Sequence, residues 1–542
     1  MAELKVGEPF GIGSPNFEKL DLALALERIR NDLKTDFIYA PHLGLIYARA
    51  GNELKAALEQ DLKNGSYTPE LPLTIEVPKS FRIPIVSTGR LGPAYSRPGS
   101  ILLPKDRLLY QAFSDIAVPV VKAGLDPERS FSHQLTDDPP NAMFQPTRKC
   151  WNELQTALSE NAADDKIQYI MKIDIASYFS SINQHMLINV LKDSGYEKWA
   201  CDRLEICLIS FTGDRSSRGI IQGIFPSDLF GNYYMAPVDQ FLSDWGVKSA
   251  RYVDDLYIFV DSVDLAEKVL RDLIPFLRAY DLSLNENKSS ISPKTLLVTM
   301  EPDLEALFQA AVEEISNQVD EEDFDADYGF QSEWEDEDEG DEGEEGDSDL
   351  TLAATIVLFD SIDQYPGHEE NVERFCLPLF AKAESNHAVP HVLDAFRKRP
   401  AMSQIYCAYL AKFLDEAGVT EFLIGLLKDE TLFDWQRMWV LAALMQGDPS
   451  DDQVKFAFDI LKDGNRHDAL RAVAAYFVGQ FGSHARRTNL RNYFPQCSPY
   501  IQSAIYASAR FWKGAEKTNA RATWGNLSLL NQLLTKAIFP VA

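Results

Sequence analysis

Basic residues are in short supply. The chain sets 52 Lys and Arg against 82 Asp and Glu, a formal net charge of −30 over 542 residues, which at first sight speaks against a polyanionic partner. Cysteine is scarce as well. The six at 150, 201, 207, 376, 407 and 497 make no CxxC pair and no zinc-ligand spacing, which excludes a disulfide framework and a zinc ribbon and predicts plain thiols in a reducing cytoplasm. There is no apolar leader in MAELKVGEPFGIGSPNF and no run of about 18 apolar residues able to span a bilayer. The expectation is a cytoplasmic protein with no membrane partner.

The charge deficit is uneven. Residues 320–349 hold 18 acids and no Lys or Arg; without them the net charge is −12. Such a run repels itself and cannot bury a core, so it reads as a disordered linker, with an acidic decoy or partner-binding tail as the functional alternative. At this length two to four domains are expected.

Within this background RYVDDLYIF (251–259) is unusual. Its aromatic and branched residues suit a buried strand, yet Asp254 and Asp255 interrupt it. Two adjacent buried carboxylates repel and are costly unless water, a cation or a basic side chain relieves them. No Lys or Arg follows nearby, and Arg251 precedes the pair by three positions. A strand-turn-strand hairpin with the acids at its tip fits either a solvated turn or a shared divalent-cation site.

Upstream, KIQYIMKIDIASYFSSI (166–182) alternates with period two and then changes to helical spacing at Ile182, Met186, Leu187, Val190 and Leu191. Asp174 ends the strand. Together with the hairpin acids it makes three carboxylates on neighbouring strand ends, the set that two-metal phosphoryl transfer needs; a backbone carbonyl such as that of Ile175 commonly completes the shell. Between the two segments, RGIIQGIFPSDLFGNYYMAPVDQFL (218–242) contains Gln222-Gly223 in a loop and Pro226-Ser227-Asp228 at the start of an apolar helix.

In this order the segments IDIASYF, QGIFPS and YVDD resemble motifs A, B and C of a reverse transcriptase palm, and LSLNENKSS (282–290) is similar to motif D of bacterial reverse transcriptases. The resemblance implies Mg²⁺-dependent addition of deoxynucleotides through two ions, with Mn²⁺ as an alternative. Asp174, Asp254 and Asp255 are then catalytic and, with Ile175, metal-binding, and Lys288 meets the charge on the departing pyrophosphate. Upstream, VPKSFR (77–82) and RPGSILLPKDR (97–107) resemble the fingers. The family grips the triphosphate there, which implies Lys79 and Arg97, with Arg82 and Arg90 as rivals. Phe179, five residues after Asp174, matches the bulky residue that excludes a ribose 2′-oxygen, and Gln222 and Gly223 match the motif beside the nucleotide.

Residues 64–80 and RSFSHQLTDDP (129–139) are similar to bacterial abortive-infection and defence-associated reverse transcriptases. No thumb, maturase, integrase or ribonuclease H segment is recognisable after Lys288. Instead FDWQRMWVLAAL (433–444) aligns with HDALRAVAAYFVGQFG (467–482) at a shift of 34, and PYIQSAIYASARFW (499–512) follows about 32 later. That period suggests HEAT-type helical repeats, with Asp434/Arg437 and Asp468/Arg471 as structural pairs inside each repeat. Arg486, Arg487 and Arg491, near Tyr493 and Phe494, form a candidate nucleic-acid contact on an inter-repeat loop.

The expected fold is α+β. Fingers and a split βαβ palm span 1–310, an acidic disordered linker spans 311–350, and an all-α HEAT-like repeat domain spans 351–542. The expected function is a DNA polymerase of the reverse transcriptase type acting in anti-phage defence, with template-independent, protein-primed synthesis as in some members of that group. Its partners are dNTPs, a DNA or RNA strand, and further copies of itself. The alternative is a catalytically idle polymerase fold that serves as a nucleic-acid-binding or toxin scaffold through its helical half.

Overall fold

The computed structural model describes residues 15–87, 90–136, 139–213, 216–299 and 345–539. In chain order its first elements are α1 (Leu22–Asp32), α2 (Pro41–Arg49), α3 (Gly51–Asn64), β1 (Leu73–Ile85), β2 (Arg90–Ile101), α4 (Pro104–Gly124), α5 (Thr147–Ala163), β3 (Tyr169–Ile173), α6 (Tyr178–Ser181), α7 (Gln184–Asp193), α8 (Lys198–Phe211), α9 (Phe225–Tyr234), α10 (Ala236–Asp244), β4 (Lys248–Tyr252), β5 (Asp255–Val260), α11 (Val263–Ala279) and β6 (Ser290–Pro293). Helices follow from Glu345 to Ile538.

The chain forms two compact units, and neither is a continuous stretch of sequence. Among the described residues the first comprises 15–33, 55–72 and 102–299; the second comprises 34–54, 73–101 and 345–539. This differs from the expected boundaries of 1–310, 311–350 and 351–542. Residues 34–54 and 73–101 group with the C-terminal half because hydrogen bonds tie them to it. Trp435 Nε1 donates to the Phe37 carbonyl at 2.5 Å, Gln404 to the Asp36 carbonyl at 3.1 Å, and Arg82 to the Arg397 carbonyl at 3.1 Å. Most of the acidic run lies outside the described residues. Its last residues, expected in the linker, open the helix Glu345–Asp360.

The first unit is built on a four-stranded sheet in the order β4-β5-β3-β6, with every neighbouring pair antiparallel. β3 and β4 therefore run parallel with β5 between them, which is the split βαβ arrangement expected for the palm. Alternation along the strands gives the sheet two buried faces. Ile170, Ala250, Tyr257 and Phe259 pack with Leu154 and Leu158 of α5, while Met171, Ile173, Leu256 and Ile258 are buried as well. α11 packs on β3 and β5; its buried stripe Ala266, Val269, Leu273 and Leu277 has the spacing of one helix face.

In the second unit β1 and β2 form an antiparallel hairpin, and the rest is helical. The segments aligned at a shift of 34 are the helices Asp434–Leu444 and Asp468–Phe481, followed by Pro499–Ser508. Both Asp-x-x-Arg pairs form within their own helix, at 3.0 Å for Asp434–Arg437 and 2.8 Å for Asp468–Arg471. Each aspartate also reaches forward. Asp434 Oδ2 accepts from the His467 N–H at 2.7 Å and Asp468 Oδ2 from Ser498 Oγ at 2.6 Å, so each bonds the N-cap residue of the next helix in the series. The arginines reach back, to the carbonyls of Asp429 and Leu461.

All six cysteines are buried free thiols. No helix among the described residues is long and apolar enough to cross a membrane.

Candidate active site

The antiparallel register of β3 on β5 runs to Ile173 opposite Leu256. One step further along each strand stand Asp174 and Asp255. β4 and β5 close at Tyr252 opposite Asp255, which leaves Val253 and Asp254 as a two-residue turn, the hairpin tip that the sequence predicts. The sheet thus brings the three acids to one end. Asp254 registers the crowding: burial, then the charges of Asp255 and Asp174, push its carboxyl up to about 7, with Lys288 opposing.

Lys288 reaches the same place from the LSLNENKSS segment, its Nζ 3.5 Å from Asp174 Oδ1. That segment is fastened to the end of β3. The Ala176 N–H donates to the Ser283 carbonyl at 2.8 Å, and the Asn285 N–H donates to the Asp174 carbonyl at 2.8 Å. The Asp174 N–H donates to Ser289 Oγ at 3.2 Å.

The three carboxylates do not form a closed cage: among the described residues no three His, Cys, Asp or Glu are arranged to hold an ion. The ammonium of Lys288 stands beside Asp174 in this arrangement. The donor chemistry still suits Mg²⁺, which takes hard oxygen ligands, and the elevated Asp254 carboxyl marks a place where added positive charge would be favourable. Ile175 fits as a fourth donor. It is buried, and its bridge to Leu284 is made through the Asp174 carbonyl and the Ala176 N–H rather than through its own carbonyl.

Phe179 lies in α6, and its carbonyl accepts from the Ile220 N–H at 3.0 Å. This contact lays the loop before Gln222 alongside the segment after Asp174. Gly223 has φ 76°, a left-handed conformation that glycine adopts without strain. Gln222 Oε1 is buried and makes no hydrogen bond within the described residues. Pro226 falls in the first turn of α9, as the sequence predicts; the Phe225 N–H donates to Asp32 Oδ2 and Ser227 Oγ pairs with the Tyr110 hydroxyl.

Other candidates lie in the second unit. Lys79 and Arg97 are on the β1–β2 hairpin, with Arg97 opposite Val77 and its guanidinium 5.4 Å from the centre of the Phe37 ring. Arg486, Arg487 and Arg491 are on the helix His484–Tyr493, not on a loop. Each is paired with a carboxylate: Arg486 with Asp451 at 2.6 Å, and Arg487 and Arg491 with Glu516 at 3.2 and 3.3 Å. The expectation of an inter-repeat loop is therefore corrected: these residues lie on a helix, and their guanidinium groups make helix-to-helix ion pairs.

Sequence reasoning also passed over the best-anchored basic residue of the site. Arg251 is fully buried. Its Nε and Nη2 grip Asp239 at 2.8–2.9 Å, and Nη1 reaches Asn232 Oδ1 at 2.5 Å and the Val253 carbonyl at 3.2 Å. Asp239 and Asn232 are 12 and 19 positions away in helices read only as apolar. An amide and an acid, Asn232 and Asp239, set among the apolar residues of α9 and α10, ahead of a strand that carries Arg251, were the available signal.

Residues 108–300 match the family model described as reverse transcriptase (RNA-dependent DNA polymerase). The chain carries a reverse transcriptase domain. It is accordingly a nucleotidyltransferase of the DNA polymerase class. No curated protein matches the sequence. Similar solved structures include telomerase from Candida albicans in complex with the TWJ fragment of telomeric RNA (TM-score 0.28, 11% identity, covering 69% of this chain and 70% of that one). The corresponding Candida tropicalis complex has TM-score 0.29 and 12% identity over 69% and 67% of the two chains. Apo telomerase from Candida tropicalis has TM-score 0.29 and 9% identity over 89% and 73%. The likeness is loose at these scores.

Proposed function

We propose that this reverse transcriptase domain is an active, Mg²⁺-dependent DNA polymerase that adds deoxynucleotides to a 3′-hydroxyl or to a protein hydroxyl. The observation that carries this reading is the convergence of Asp174, Asp254 and Asp255 at one end of the sheet, one step beyond the Ile173–Leu256 pair and at the Tyr252–Asp255 pair, where burial and the neighbouring Asp255 and Asp174 raise the Asp254 carboxyl. A fold that keeps three acids at one strand end against that cost has a use for them. Bound divalent ions would lower the pKa of the attacking hydroxyl and offset the charge of the triphosphate.

The chain's own residues divide the remaining work. Asp174, Asp254 and Asp255, with the Ile175 carbonyl, supply the oxygen ligands. Lys288, 3.5 Å from Asp174, stands where charge develops on the departing pyrophosphate. Phe179 faces the sugar and disfavours a 2′-hydroxyl, while Gln222 and Gly223 lie beside the nucleotide.

A role in anti-phage defence, with protein-primed or template-independent synthesis in the cytoplasm by a homo-oligomer, is the finer part of the proposal. It rests on the sequence resemblance of 64–80 and 129–139 to the defence-associated enzymes. The HEAT-like reading of the helical half belongs to it too, and is supported by the two equivalent Asp-x-x-Arg ties.

The deciding experiment is incubation of the full chain with labelled dNTPs and Mg²⁺, with and without added template. Asp174→Asn and Asp254→Asn should each abolish incorporation while retaining a folded melt. Near-wild-type incorporation by either variant would overturn the assignment of these acids, and no incorporation by the wild-type chain, with or without template, would favour the idle-scaffold reading.

A further inference from the structure

The turn that presents Asp254 is made from an unsuitable residue. Val253 has φ 54°, and a β-branched side chain in the left-handed region is strained. Two-residue hairpin turns need positive φ at their first central position, where Gly or Asn is the usual occupant. Valine holds that conformation only if its surroundings impose it.

The surroundings are specific. The Val253 N–H donates to Ser132 Oγ at 2.8 Å, and the Val253 carbonyl accepts from Arg251 Nη1 at 3.2 Å. Both peptide groups of the strained residue are thus held by side chains that are themselves buried. Ser132 is held by Asn232 of α9, whose Nδ2 donates to the Ser132 carbonyl at 2.8 Å and whose Oδ1 accepts from Ser130 Oγ at 3.0 Å. Arg251 is held by Asp239 of α10 and by the same Asn232. The backbone of 129–131 runs beside β4, with the Arg251 N–H on the Arg129 carbonyl and the Phe131 N–H on the Arg251 carbonyl. A salt bridge serving the core alone has no need to reach the carbonyl at the tip of the hairpin.

We propose that Ser132 and Arg251, oriented by Asn232 and Asp239, are positioning residues that impose the Val253–Asp254 turn and so fix Asp254 and Asp255 relative to Asp174. This rests on the reading of those three acids as catalytic.

The test uses the full-length protein in steady-state dNTP incorporation. Ser132→Ala removes the acceptor for the Val253 N–H with little change in volume. Its kcat should fall roughly 10- to 100-fold, the scale on which a small misplacement acts, with KM for dNTP little changed. Adding Val253→Gly should restore activity, because glycine takes positive φ without help; the double variant should exceed Ser132→Ala by roughly threefold or more in kcat. A merely structural serine would not be rescued by a glycine at the turn. Wild-type kcat in Ser132→Ala, or a double variant no better than the single one, overturns the proposal. Asp254→Asn run in parallel separates the two levels: if it retains activity, the catalytic reading itself fails, whatever Ser132→Ala does. Arg251→Lys is a secondary arm, scored only through the same glycine rescue, since loss of the buried guanidinium can unfold the protein.

Discussion

The ring of Phe179 lies directly against Gly231. A Cβ built on that glycine would stand 2.8 Å from Phe179 Cε1 and 3.2 Å from Cζ, and the Gly231 carbonyl also accepts from the Tyr178 hydroxyl at 2.6 Å. A glycine inside α9 costs about 1 kcal/mol against alanine, and close approach of this ring accounts for it. Phe179→Ala should lower the ratio of dNTP to NTP incorporation efficiency by roughly 10- to 100-fold. Gly231→Ala should push the ring outward and raise KM for dNTP, and Phe179→Ala should suppress that defect. An unchanged dNTP/NTP ratio in Phe179→Ala would reduce the residue to packing.

The elevated carboxyls make a prediction about pH. Asp254, at about 7, and Asp115, at about 6, are raised chiefly by burial from an unfolded value of ~4. Between pH 4 and 7 the folded protein keeps protons that the unfolded chain has released, so stability falls as pH rises through this window and levels off above it. In EDTA, Tm should decline from pH 5 to pH 8, and Asp254→Asn should flatten part of the slope. Mg²⁺ should raise the wild-type Tm more at pH 8 than at pH 6, where protons compete for the same oxygens, and should do little for the Asn variant.

The arginines of the helix His484–Tyr493 should act on folding rather than on binding. Arg486→Glu breaks a pair whose Asp451 side is 62% exposed, a change worth less than about 1 kcal/mol. Arg487→Glu faces Glu516, only 10% exposed, and should lower Tm distinctly further. Neither should alter the salt dependence of DNA binding by the folded fraction. A shallower salt slope in either variant would return these residues to the nucleic-acid interface.

A fragment ending at residue 310 should not fold as an independent polymerase. It would retain 34–54 and 73–101 and lose their partners, including Trp435 and Gln404. The expected outcome is a broad, non-cooperative melt, compared by calorimetry with the full chain. A sharp transition with wild-type incorporation would show that the first 310 residues suffice.

Much of the site was legible because it is local. Strand periodicity, a helix start and an acid pair at a turn all reside within ten or so residues, and Asp174, Asp254, Asp255 and Lys288 converge as their segments imply. The Asp-x-x-Arg pairs were legible for the same reason, three residues being one helical turn. What could not be read depends on distant partners. Arg251 looked irrelevant to the acid pair because its meaning comes from Asp239, Asn232 and Ser132. The arginines at 486, 487 and 491 looked available because Asp451 and Glu516 are some 30 positions away. The reassignment of 34–54 and 73–101 rests on bonds spanning more than 300 positions, for which a single sequence carries no local signal.

The interleaving of the two units has a consequence during synthesis. Arg82 and the carbonyl it bonds are 315 positions apart. At elongation rates of about 5–20 residues per second, the β1–β2 hairpin leaves the ribosome roughly 15–65 s before that partner exists. Throughout this interval Phe81, Ile83 and Tyr95, which remain more than half exposed even in the finished protein, belong to a two-stranded ribbon with nothing to close against. The nascent chain therefore passes through a stage at which its second unit cannot yet be completed, and translation speed and chaperone supply act on the yield of folded protein before any substrate is met.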